Sequence, residues 1–415
     1  MILLEQNIIN TYNFRMIVPN QATKLFIEQH ILDDVHQLAL QSAPQEVNLT
    51  LAVQLIAARQ SLKKKVPLWA NNPDLLFPKH LSLEQASSQS TAEYKAEWIQ
   101  QNIQTTQTLI DLTGGLGIDC FFMGRLFQKV YYCEQQEELC TLAQHNYAAL
   151  NQHQITVHCG QSNELIEKLP QADVLFIDPA RRDQAGKKTV TFEDCTPNVV
   201  AWQEDLLNKS TTVIIKASPM LDISLAIQQL KMVKEVHVIS VGGECKEVLF
   251  ILQRETTKDC TLHCINILKN KIQLLPPFTL QQEKELLGKY TKECKQYLYE
   301  PNASILKAGA YKTIEKHWDV KALHVSSHLY TSDTYFENFP GRIFQVKKHF
   351  PFQKKEIKKH LQHIDKCNIT TRNFPISVVS LRQKLKLKEG GEWYLFATTL
   401  SSNEKYLLLC QKYPN

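Results

Sequence analysis

No stretch of the chain approaches the roughly 18 uninterrupted apolar residues that a membrane-crossing helix needs. The first residues, Met1-Ile2-Leu3-Leu4-Glu5-Gln6-Asn7, hold no basic segment followed by an apolar one. A soluble, unexported, cytoplasmic protein with no membrane partner is therefore the expectation. Low-complexity tracts are also missing, and 43% hydrophobic with 21% charged residues is the balance of a chain that folds around cores. C-x-x-C pairs are absent: the 11 cysteines are scattered, and neither Cys133 with Cys140 nor Cys260 with Cys264 has a second pair to complete a zinc site. Reduced thiols and no metal are expected.

A chain of 415 residues exceeds one ordinary core, so two to four domains are expected. Its charge is unevenly placed. Residues 289–415 carry a net +11 within a whole-chain total of +5, leaving the first 288 residues at −6. Most of the basic excess lies between Arg342 and Lys388, in runs such as Lys347-Lys348-His349-Phe350 and Lys354-Lys355-Glu356-Ile357-Lys358-Lys359. A single Lys pair marks a solvated face; a basic module interleaved with aromatics points to a polyanion, here nucleic acid.

From Gln21 to Lys65 the apolar residues recur at helical spacing, with Pro44 separating two helices. A proline-punctuated loop follows, with Pro67, Pro73 and Pro78, then a largely polar stretch, Ser82-Leu83-Glu84-Gln85-Ala86-Ser87-Ser88-Gln89-Ser90-Thr91-Ala92-Glu93-Tyr94-Lys95-Ala96, leading into a helix that reaches about Gln101. That stretch suits capping or the wall of a ligand pocket. The central block alternates: strands near 108–112, 129–133, 154–158, 173–178 and 211–217, separated by helical segments, predict a parallel sheet with a crevice at its carboxyl ends. Val236–Ser240 and Val248–Leu252 are too close for a parallel crossover and must be antiparallel neighbours. Beyond Arg254, residues 262–268 and 271–275 read as a hairpin, Pro276-Pro277 as a boundary, and residues 339–415 as a small final α/β unit.

The chemistry concentrates at two strand ends. Leu109-Ile110-Asp111-Leu112-Thr113-Gly114-Gly115-Leu116-Gly117 is a strand running into a glycine turn, which lets a ligand approach the backbone and helix N–H groups. It departs from the dinucleotide fingerprint, because Cys120 stands where the third glycine belongs. Glu134, ending the second strand, is placed for ribose hydroxyls, and Gln161, after the third, for an adenine edge. Asp178-Pro179-Ala180-Arg181-Arg182 ends the fourth strand. An acid and backbone carbonyls there can hold an exocyclic amine, and two arginines can hold phosphate.

The string LIDLTGGLGID, followed by Glu134 and DPARR, resembles class I S-adenosylmethionine-dependent methyltransferases. FPKHLSLEQASSQSTAEYKA, KASPMLD, GGECKEVL, EPNASILKAGAY, SHLYTSD, FPGRIFQV and RNFPISVVSLRQKLKLKEGG resemble the bacterial group that carries a ferredoxin-like domain and a C-terminal THUMP-like domain, itself similar to cap guanine-N2 methyltransferases. The resemblance implies an α/β fold: a seven-stranded Rossmann-like methyltransferase sheet with a helical N-terminal region and small α+β C-terminal domains. The implied divisions are a helical region 1–105, a methyltransferase domain 106–278, a ferredoxin-like domain 279–338 and a THUMP-like RNA-binding domain 339–415.

Its implied function is S-adenosyl-L-methionine-dependent methylation of RNA, rRNA or tRNA, at a base amine. Asp111, Thr113, Gly114, Gly115, Gly117, Glu134 and Gln161 would hold the cofactor. Asp178, Pro179 and Ala180 would position the acceptor, with Arg181, Arg182, Lys216 and Ser218 near the substrate. Ala180 and Arg181 replace the aromatic residue that amine methyltransferases place here to stack the base, so the stacking partner is unassigned. Covalent C5 chemistry is disfavoured, since Cys195 precedes the fifth strand instead of following it. A non-catalytic RNA-binding protein retaining the fold and a nicotinamide-dependent oxidoreductase are the alternatives, and the oligomeric state is left open.

Overall fold

The computed structural model describes residues 18–78, 83, 86–181, 191–254, 259–269 and 271–413, with only the backbone of Arg181. Two compact units emerge: residues 1–216 with 230–232 and 251–255, and residues 217–229, 233–250 and 256–415.

The first unit opens with α1 (Gln21–Gln29), α2 (Val35–Ala39), α3 (Leu49–Leu62) and α4 (Pro67–Ala70). The side chains of Asn20, Asp34 and Asn48 cap the first three by accepting N–H groups of Thr23, Gln37 and Leu51. Three helices therefore stand before Lys65 where two are expected, because Asp34 starts a new helix after α1 closes at His30. Pro67, read as loop, occupies the first turn of α4, where its missing N–H costs nothing. Next comes α5 (Gln89–Asn102), capped by Ser88, whose inner face buries Ala92, Lys95, Trp98 and Ile99.

The central strands are β1 (Thr108–Asp111), β2 (Lys129–Glu134), β3 (Ile155–Cys159) and β4 (Ala172–Ile177). A short antiparallel pair, β5 (Ala180–Arg181) and β6 (Cys195–Thr196), precedes β7 (Ser210–Ala217). Between them run α6 (Ile118–Gly124), α7 (Glu137–Ala149), α8 (Ser162–Lys168) and α9 (Val199–Lys209). The strands lie side by side in the order β7-β4-β1-β2-β3, each neighbouring pair parallel. This arrangement places the carboxyl ends of β1, β2 and β4 along one crevice. At the opposite end Asp173 accepts from the N–H groups of Gln107 and Thr108, both at 2.8 Å, which fixes the register of β1 against β4. Val174, Leu175, Phe176 and Ile177 are fully buried, as continuous apolar runs under flanking helices should be.

In the second unit α10 (Ile223–Gln229) leads to β8 (Val233–Val241) and β9 (Glu244–Gln253), which are neighbours. Gly242 and Gly243, with φ of 60° and 91°, make the two-residue turn of the expected antiparallel hairpin. β10 (Thr261–Ile267) pairs parallel with β8, and β11 (Ile272–Thr279) pairs antiparallel with β10. The sheet thus has nine strands, the seven expected and these two. Pro276-Pro277 lies inside β11: the prolines sit on an edge strand, opposite a register shift between Leu262 and Cys264.

After α11 (Leu280–Glu285) a seven-stranded sheet forms from β12 (Tyr297–Pro301), β13 (Lys321–Ala322), β14 (Tyr330–Ser332), β15 (Gly341–Pro351), β16 (Asn368–Arg372), β17 (Trp393–Thr399) and β18 (Lys405–Lys412), in the order β13-β14-β12-β15-β18-β17-β16. Its helices are α12 (Ala303–Ala308), α13 (Tyr311–His317), α14 (Lys354–Leu361) and α15 (Val378–Leu385). Alternation along β17 and β18 builds two cores. Leu395, Ala397, Leu407 and Leu409 pack with Leu361 and Leu381 of α14 and α15, while Phe396, Leu408 and Cys410 pack with Leu298 and Phe344. Among the described residues no helix is long and apolar enough to cross a membrane, and all 11 cysteines are free thiols.

Candidate active site

The glycine turn after β1 is shaped by two tyrosines that sequence reasoning passed over. A Cβ on Gly114 would run into the Tyr132 ring, and Gly117, at φ +86°, faces the Tyr147 hydroxyl. Tyr132 donates to the Gly115 carbonyl at 2.6 Å and Tyr147 to the Gly117 carbonyl at 3.1 Å. Burial pushes both phenols well above their ordinary range, so they remain donors. Glu134 completes the support: its carboxylate accepts the N–H groups of Gly115 and Gln136, both at 2.9 Å.

Asp111 and Thr113 join this turn to the end of β4. Asp111 Oδ1 accepts the Thr113 N–H at 3.0 Å, and Thr113 Oγ1 accepts the Asp178 N–H at 2.6 Å. Asp111 Oδ2 is buried and has no hydrogen-bond partner. Burial, reinforced by Asp119, pushes this carboxyl up to about 8 although the Thr113 N–H and Lys216 oppose it.

Beside it lies a chain of buried charges. Lys95 Nζ stands 3.1 Å from Asp119 Oδ1; Lys216 Nζ stands 3.0 Å from Asp119 Oδ2 and 2.7 Å from Asp178 Oδ2. Ser87 Oγ donates to Asp119 at 2.6 Å and accepts from Lys216 at 2.9 Å. Burial alone would raise the Asp119 carboxyl, but Lys216 and Lys95 outweigh it and hold it well below the usual carboxylate range. Asp178, with 38% of its side chain exposed, is where this chain reaches the opening.

These groups surround a cavity of about 460 Å³. Of the residues expected there, Asp111, Thr113, Gly114, Gly115, Gly117, Glu134, Gln161, Asp178, Ala180 and Lys216 line it. Pro179 is buried and does not line it, and Ser218 accepts the Met220 N–H at 3.3 Å within the turn after β7. The Arg181 side chain and Arg182 lie outside the described residues. The lining also includes Ser87, Asp119, Pro197, Asn198 and Trp202. Ser87 falls in the polar stretch flagged before the first strand, and Asp119 closes the LGID string. Nothing in the sequence singled out Trp202.

Four carboxyl groups against two lysines make the site acidic, a match for a small cationic ligand.

A crystal structure from Porphyromonas gingivalis, of a protein provisionally named a methyltransferase, superimposes with a TM-score of 0.84 at 32% identity, over 94% of this chain and 98% of that one. The chain belongs to this methyltransferase family. Family models place a THUMP domain-like region at residues 341–412 of the methyltransferase and a ferredoxin-like domain at 297–340. Smaller likenesses include an rRNA methylase from Streptococcus thermophilus (14% identity, 39% of this chain, 93% of that chain, TM-score 0.30). A Streptococcus mutans protein, provisionally named a methyltransferase and solved with SAH, is similar at 16% identity (39% of this chain, 96% of that chain, TM-score 0.30). No curated protein matches the chain.

Proposed function

We propose that the cavity binds S-adenosyl-L-methionine and that the enzyme transfers its methyl group to a base amine of RNA, rRNA or tRNA. The observation that carries the first half is Asp111 Oδ2, a buried carboxylate oxygen without a donor on the wall of an acidic cavity of cofactor size. S-adenosylmethionine supplies an electrophilic methyl on a sulfonium, and its ammonium is the donor that Asp111 lacks. The residues present fit it: Glu134 and the Gly114-Gly115-Leu116-Gly117 turn form a cradle, and Gln161 stands at its rim.

Methyl transfer is an in-line displacement, so the protein's task is positioning. Thr113 ties the cradle to Asp178 through two short hydrogen bonds, which sets the distance between cofactor and acceptor. Lys216 fixes the Asp178 carboxylate from the buried side, and its partly exposed face accepts hydrogen bonds from the incoming amine. Trp202 and Pro197 line the same cavity and offer the flat surface on which a base can stack, the partner missing after Pro179.

Support for RNA comes from the C-terminal sheet domain, where Lys354, Lys355, Lys358 and Lys359 on α14 and Lys384, Lys386 and Lys388 at and beyond α15 are exposed. Calorimetric titration with S-adenosylmethionine tests the cofactor. One site per chain is expected, and a folded protein that takes up no cofactor refutes the proposal.

A further inference from the structure

A second group of chemistry-bearing side chains lies in the other unit, and the methyltransferase reading makes no use of it. Glu235 and His237 are two residues apart on β8, so they point to one face. The parallel register sets Thr261 opposite Glu235 and His263 opposite His237. The result is one patch holding a carboxylate and two imidazoles. Among the described residues it is the one group of three His, Cys, Asp or Glu side chains whose donor atoms all lie within 4.8 Å of one another.

We propose that Glu235, His237 and His263 form a binding site for a first-row divalent transition-metal ion of the zinc class. Both rings turn Nε2 towards the same atom: Glu235 Oε2 is 2.9 Å from His237 Nε2 and 4.0 Å from His263 Nε2. The rings stack with centroids 4.5 Å apart. A tetrahedral zinc ion with bonds of about 2.0–2.2 Å holds its donors about 3.4 Å apart, so small side-chain rotations bring all three into range. Two nitrogens and one carboxylate oxygen are the donor set of zinc sites that keep a fourth position open. Thr261 Oγ1, 3.2 Å from His263 Nε2, stands beside that position.

The protein already holds the patch in place. His237 is almost fully buried, whereas the His263 side chain is 29% exposed and provides the way in. A bound ion would neutralise a largely buried carboxylate. It would also staple β8 to β10 across the ladder, because two ligands come from one strand and one from the other. None of the three is a thiol, so the site was invisible to a search for cysteine pairs.

Cobalt(II) titration of the full-length protein, freed of metal with a chelator, tests the proposal. One equivalent is expected to give the visible bands of a tetrahedral ion without a thiolate charge-transfer band. One equivalent of zinc is expected to displace it and to raise Tm. His263→Ala is expected to weaken cobalt affinity by about 100-fold while leaving the metal-free Tm near that of the parent. Should that variant unfold, Glu235→Gln, which keeps the shape of the side chain, is expected to give the same loss. No saturable binding, a thiolate band, or binding unchanged in both variants overturns the assignment. S-adenosylmethionine binding in the same preparations reports separately on the other site.

Discussion

The strand-end cavity of the first unit and the sheet domain at the C-terminal end are built by opposite means. In the cavity the polar groups are held by one another, Asp111 Oδ2 excepted: two buried tyrosines shape the glycine turn, Glu134 accepts two backbone N–H groups, and Lys95, Asp119, Lys216 and Asp178 form one chain of ion pairs. In the C-terminal domain Arg342 and Arg372 are both bonded to buried Glu300, whereas the lysines of α14 stand in solvent. A preorganised acidic pocket suits a small cation that must be placed to within a fraction of an ångström. An exposed basic surface suits a polyanion read by charge.

The sharpest way to break this contrast is at Asp178. Asp178→Ala is expected to lower the methyl-transfer rate by about 100-fold or more, as a positioning loss does, while cofactor affinity measured by calorimetry stays within about threefold. If both fall together, Asp178 belongs to the cradle and the division of labour between β1 and β4 is wrong.

Asp111→Asn separates stability from binding. Cofactor affinity is expected to fall by about tenfold, since a charge-assisted hydrogen bond is replaced by a neutral one. The folded-state carboxyl titrates at about 8, above its unfolded value, so folding favours the protonated form. Its contribution to stability is full below the unfolded value and is lost as pH rises through 8. Tm of the variant should therefore exceed that of the parent at pH 9 and approach it at low pH.

Salt distinguishes the two surfaces. RNA affinity should fall steeply and linearly on a log–log plot against salt, and reversing Lys358 and Lys359 to Glu should reduce the slope by about two. Cofactor affinity should change little over the same range, because the charges in the pocket are buried.

The smallest effect is in protons. A bound cation draws the Asp111 carboxyl back towards its ordinary range, so binding near pH 7 should release up to one proton and tighten as pH rises towards 8. Calorimetry in buffers of different ionisation enthalpy reads this directly.

Much of the first unit was legible because its strands are continuous apolar runs ending in turn residues, and such runs have few other fates. Strand limits at 108–111, 129–134 and 172–177 lie within a residue or two of those read from the sequence. The hairpin of β8 and β9 followed from chain length alone. Less legible were features set by distant packing. The prolines within edge strand β11 and the tyrosines behind the glycine turn depend on neighbours 15 or more residues away or on which edge a strand occupies, whereas the Asp34 cap is local, accepting the Gln37 N–H three residues on, and was simply passed over. Lys95 reads as an ordinary residue on a polar helix, yet it is buried against Asp119. The family boundary between Pro340 and Gly341 falls within one continuous sheet, since β12 pairs with β15 across it.

The most direct test is transfer itself. Purified enzyme, S-adenosylmethionine labelled on the methyl group and RNA from cells lacking the gene should yield a labelled base-N-methyl nucleoside by chromatography and mass spectrometry, and Asp178→Ala should abolish it. Absence of label, or label undiminished by the substitution, contradicts the account.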